Sequence, residues 1–147
     1  MTKIVHPIAG ALALMTIACF WLSTAASELF ASRATIVAVK TAIPWGFLIL
    51  IPAFAAAGGT GLALAKGRRR GLIGAKLKRM PFVAANGLFI LIPCALFLAA
   101  KARAGAFDAS FDAVQALELL AGPVNIALLA LNMRDGLKLA GWFAAQR

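Results

Sequence analysis

Acidic residues are scarce in this chain. Five Asp and Glu stand against 15 Lys and Arg, with one histidine and two cysteines. Each scarcity removes a class of chemistry. Cys19 and Cys94 lack CxxC spacing and neighbouring histidines, so a zinc site has no ligand set. Both thiols lie inside apolar runs and read as small hydrophobes. The histidine, His6, has no acid near it in sequence, which excludes a legible hydrolytic triad. Acid–base work by paired carboxylates would fall to Glu28 and Glu118. The segment Gly58-Gly59-Thr60-Gly61 lacks the Lys-Ser/Thr pair and the preceding strand of a phosphate loop. The scarcest feature is charge within the long apolar runs. No Asp, Glu, Lys or Arg occurs in residues 4–27, 41–65 or 81–100, and only Glu118 occurs in 113–133.

What is present is apolar surface. The chain has 147 residues, 63% of them hydrophobic and 14% charged; soluble domains sit near 45–50% and about 25%. A soluble fold of this size buries only about two-thirds of what it exposes when unfolded, so the excess calls for lipid. Each run reaches the roughly 20 residues that cross about 30 Å of hydrocarbon. Continuous runs without two-residue alternation form helices, which satisfy their own backbone in lipid. The expectation is an all-α polytopic membrane protein. Its single transmembrane domain spans residues 1–147, with four helices over about 4–28, 41–65, 81–101 and 113–136 in an up-down bundle.

Orientation follows from the basic residues. The joining segment 66–80 holds Lys66, Arg68, Arg69, Arg70, Lys76, Lys78 and Arg79 and no acid. Lys3, Arg134, Lys138 and Arg147 fall on the same side, with Asp135. The other side mixes Arg33, Lys40, Lys101 and Arg103 with Glu28, Asp108, Asp112 and Glu118. Both termini are therefore expected in the cytoplasm, in a bacterial inner membrane. On this distribution the positive charge reads as topology rather than nucleic-acid binding. The basic loop contacting anionic lipid headgroups is the alternative to a pure topology signal. The first run exceeds the 7–15 residues of a signal-peptide core and ends in Phe20-Trp21, so it reads as a retained helix.

No internal repeat is evident. Helix 2 carries Ala53, Ala57, Gly61 and Ala65 at four-residue intervals, a ladder that lets backbones approach closely. Packing within the bundle is the first reading of it, and a homodimer interface the second. Pro52, Pro93 and Pro123 each free a carbonyl one turn earlier.

Candidate site residues concentrate on helix 4. Gln115, Glu118, Gly122, Asn125, Asn132 and Gly136 fall on one face, which must turn toward protein or water. Glu118 lies roughly 7–8 Å inside that helix at 1.5 Å per residue and needs a partner. Lys40, at the entrance to helix 2, is the expected one, joined by Glu28. A matching face on helix 1 holds His6, Gly10, Ala13, Ile17, Thr24, Ser27 and Glu28. His6 is an interfacial residue at a helix start or an axial ligand to haem b, with Met80 or Met133 at the same level as a second ligand. Arg79, Met80, Asn86, Arg134 and Asp135 complete a polar cluster with His6 at the cytoplasmic end. The tail after Gly136, with Trp142 and Phe143, is expected to rest in the interface.

Three functions follow. The first is a structural or accessory subunit of a homo-oligomer or larger membrane complex. The second is a haem-binding redox or sensor protein. The third is a small carrier using the stripe Gln115–Glu118–Asn125–Asn132.

Overall fold

The structure, a computed structural model, describes residues 1–68 and 70–141. Arg69, Trp142 and Phe143 lie outside the described residues, so the expectation for the tail beyond Gly141 falls there too. Among the described residues four helices form the fold: α1 (Thr2–Phe30), α2 (Arg33–Ala65), α3 (Gly71–Arg103) and α4 (Ala109–Leu139). Each is long and apolar enough to cross a membrane, at 29 to 33 residues. No strand occurs among the described residues.

Every helix starts earlier than the charge-free runs indicate. Helix 2 begins at Arg33, not Thr41, because Ser32 caps it by accepting from Thr35 N at 3.4 Å. Lys40 is therefore not at an entrance but two turns inside α2. The basic segment 66–80 is mostly not a loop. Lys66 and Gly67 turn the chain with positive φ (46° and 75°), and α3 starts at Gly71. Lys76, Lys78, Arg79 and Met80 thus stand on its first turns. Asp108 caps α4 by accepting from Ser110 N and Phe111 N, both at 3.1 Å. Charged residues end an apolar run without ending a helix, since Lys and Arg are good helix formers.

Successive helices are antiparallel. α1 packs against α2 and α4, α3 packs against α2 and α4, and α1 and α3 lie on the diagonal. One end, with the start of α1, the end of α4 and the α2–α3 turn, is basic; the other carries the α1–α2 and α3–α4 turns. Polar residues point inward: Thr24, Ser27, Lys40, Gln115, Glu118, Asn125, Asn132 and Asp135 are buried. Leu12, Met15, Trp45, Leu48, Phe89 and Leu120 point outward. That inversion is compatible with a solvent of low polarity around the bundle.

α1 is seated by glycines on its neighbours. A Cβ on Gly46 would fall 2.2 Å from the Phe20 ring, one on Gly122 2.5 Å from Trp21 Cδ1, and one on Gly61 3.1 Å from His6 Cε1. Ala53, Ala57 and Ala65 of the small-residue ladder are buried within the bundle. That face is therefore used for packing against α1 and is not free for a dimer.

α3 contains a π-turn at Gly87–Leu91, where Ile92 N reaches back to Gly87 O. Pro93 follows directly and lacks the N–H that would bond Phe89 O, so the ladder shifts register there. Below this turn, toward the basic end, α3 leans on α4 and scarcely touches α2. A gap between α2 and α3 is the result.

Candidate functional site

That gap opens into a cavity of about 1220 Å³ running along the bundle interior. Its walls are mostly apolar, with Phe20, Phe47, Leu50, Phe54, Val83 and Leu129 among them. Polar groups sit at its two ends. Lys3, His6, Arg68 and Lys76 line the basic end, with Asn132 beside them. Thr24 and Glu118 close the other end. Among the described residues Lys3, Arg68 and Lys76 form no salt bridge. Lys76 Nζ lies over the backbone of Gly136, 3.0 Å from where a Cβ would stand.

His6 is held by α2. Its Nδ1 lies 3.1 Å from the Ala57 carbonyl oxygen and 3.2 Å from Thr60 Oγ1. Thr60 gives its own hydrogen to the Ala56 carbonyl. A carbonyl only accepts, so Nδ1 carries the hydrogen, and a neutral ring presents its lone pair at Nε2. The Cε1 edge faces Gly61, and Nε2, next to Cε1 in the ring, forms no hydrogen bond among the described residues. Met80 and Met133 line the same cavity as His6. Met80 Sδ accepts from Asn132 Nδ2 at 3.5 Å.

The stripe on α4 faces inward along its length. Asn125, fully buried, accepts at Oδ1 from Asn86 Nδ2 at 3.0 Å and donates to Val83 O at 3.4 Å. Gly87 makes room for its amide. Asn132 and Asp135 both accept from Arg79 Nη1, at 3.3 Å and 2.6 Å. Arg134 contacts Asp135 from its other side at 3.4 Å. These residues form the cluster read from sequence at this end, with His6 bonded separately to α2. Asp135 is 1% exposed, a buried carboxylate that the sequence placed only at a helix end.

At the opposite end Lys40 Nζ lies 2.6 Å from Glu118 Oε2 and 3.5 Å from Thr24 Oγ1. Lys40 is 1% exposed. Gln115 Nε2 donates to the same Glu118 oxygen at 3.3 Å. Glu28 forms no hydrogen bond to Lys40 or Glu118; its Oε1 is buried without a partner.

Sequence reasoning overlooked two features. Lys3, Arg68 and Lys76 read as topology signals, yet they line the mouth of the cavity, Lys76 half-buried and the other two exposed. Trp21 Nε1 donates to Leu119 O at 3.0 Å; the freed carbonyl one turn before Pro123 was the signal that could have found it. Comparison with protein-family models, with curated proteins and with solved structures finds no match to this chain.

Proposed function

We propose that this chain is a multi-pass protein of the bacterial inner membrane, termini in the cytoplasm, that binds an amphipathic ligand with an anionic head between its helices. One observation carries the reading: a mostly apolar cavity of about 1220 Å³ with three unpaired cations at one end. Ordinary ligand pockets measure roughly 300–1,000 Å³ and combine apolar walls with a few convergent polar groups. Lys76 is half-buried, and Lys3 and Arg68 stand exposed at the cavity mouth; together they would meet the anionic head of a bound ligand. The gap between α2 and α3 offers a lateral route from the bilayer. An accessory subunit would dock through its outer face, a role to which the cavity adds nothing. A carrier needs free polar groups, whereas Asn125 and Asn132 are engaged by Asn86 and Arg79.

The test is native mass spectrometry of the protein extracted in mild detergent. The reading expects a bound non-protein mass that is lost in the variant Lys3→Gln/Arg68→Gln/Lys76→Gln. A bare polypeptide, even after incubation with an excess of fatty acid or anionic phospholipid, contradicts it.

A narrower reading names haem b as the ligand. The pinned Nδ1 and unengaged Nε2 of His6 match the arrangement of a metal-ligating imidazole oriented through its other nitrogen. Met80 or Met133 would serve the second axial position, and the three cations the propionates. Bound haem would supply electron transfer or gas sensing. The absorption spectrum decides this apart from the mass measurement. A Soret band lost in His6→Ala supports haem; a protein that stays colourless after haemin addition excludes it and leaves the broader reading intact.

A further inference from the structure

The inner cluster beyond the cavity contains one hydrogen too few. α1 runs toward this end of the bundle and α4 runs away from it. Glu28 lies one turn beyond Thr24, and Gln115 one turn beyond Glu118, so both stand at one level above the Lys40 contacts. Lys40 donates to Glu118 and Thr24, and the Gln115 amide donates to Glu118. Two acceptors remain, Glu28 Oε1 and Gln115 Oε1, both buried and without any partner. Gln115 is 6% exposed, so bulk water does not serve its oxygen. The groups acting on this level come from all four helices: Glu28 from α1, Lys40 from α2, Cys94 from α3, and Asp112 and Glu118 from α4. Lys40 is the one cation among them.

We propose that Glu28 is a proton-binding site whose carboxyl O–H donates to the Gln115 side-chain oxygen. A single hydrogen then serves both orphaned atoms, since the Glu28 oxygen becomes donor and the Gln115 oxygen acceptor. The pair Lys40–Glu118 keeps one ammonium and one carboxylate, and the half-buried Glu28 adds no second carboxylate charge beside it. The proton is taken from water at the α1–α2 turn and returned there, with no other bond made or broken. The inference stands on the cluster alone and holds whether or not the cavity binds a ligand.

The experiment is infrared spectroscopy of the reconstituted full chain at neutral pH, each variant's spectrum subtracted from the wild type's. A protonated-carboxyl C=O band is expected in the wild type, lost in Glu28→Gln and retained in Asp112→Asn. In Gln115→Leu, which keeps Glu28, the band moves to the higher frequency of a carboxyl without that acceptor. Absence of the band from the wild type, its survival in Glu28→Gln, or an unmoved band in Gln115→Leu overturns the proposal. The Gln115→Leu arm reads the same proton even where Glu28→Gln fails to fold.

Discussion

Trp21 Nε1 donates to the carbonyl of Leu119 at 3.0 Å, the acceptor that Pro123 leaves without its helical N–H. Gly122 makes this reach geometrically available, because a Cβ there would stand 2.5 Å from the indole. A missing donor, a missing side chain and one aromatic residue 98 positions away in the chain thus form one joint between α1 and α4. In the proposed membrane setting no water would replace the lost donor. Trp21→Phe should lower stability by about 1–3 kcal/mol, the cost of a buried acceptor left unpaired, read from unfolding in detergent. Gly122→Ala should destabilise the wild type but cost far less in Trp21→Ala, where the ring is gone. Equal costs in both backgrounds would refute the joint.

Lys40 and Glu118 form a buried pair, so removing one partner strands the other. Lys40→Met should destabilise the fold by about 3–5 kcal/mol, and Lys40→Met/Glu118→Leu should recover most of that loss. Comparison of the unfolding curves of the three proteins checks it. A Lys40→Met protein as stable as the wild type would contradict the pairing.

Asp108 stands outside the spans, at the cap of α4. The Lys101 ammonium bonded to it at 2.6 Å, then the Ser110 and Phe111 donors, hold its carboxyl well below the usual carboxylate range. A carboxyl depressed on folding contributes stability that is fully present above its unfolded value and lost as pH falls through the folded one. Acidification below the ordinary carboxylate range should therefore destabilise the wild type more than Asp108→Asn, which keeps a neutral cap. Asp108→Ala should melt lower than either at neutral pH. Parallel melting curves against pH for the wild type and Asp108→Asn would show that the carboxylate does not act this way.

Orientation is accessible to labelling. In a background with Cys19 and Cys94 replaced by serine, Arg68→Cys should react with an impermeant maleimide only when the cytoplasmic face is exposed. Arg103→Cys should react from outside intact cells. The reverse pattern would invert the proposed topology.

The sequence made some of this legible and hid the rest for physical reasons. Four apolar runs and the inward stripe of α4 were readable because lipid admits little else. Lys40 could be paired with Glu118 because few cations lie at that end and only a partner makes a buried carboxylate tolerable. Helix starts were displaced because Arg33, Lys76 and Arg79 interrupt hydropathy without interrupting helix. The Trp21–Leu119 bond depends on the alignment of two helices and has no local pattern. The cavity was illegible because it arises from the lean of α3 below its π-turn. That lean turns Lys76 inward, where sequence alone shows only a basic segment.

The most direct test of ligand binding within the bundle is a plug at Gly58. A Cβ there meets only the Met80 methyl, at 4.0 Å, and replacing glycine by phenylalanine inside a helix favours the helix by roughly 0.3–0.5 kcal/mol. Gly58→Phe should therefore fold with undiminished thermal stability while filling the cavity. Equilibrium titration with a fluorescent anionic amphiphile should show saturable binding to the wild type and at least a tenfold loss in Gly58→Phe. Equal affinity in the two proteins would place the binding elsewhere and contradict the account.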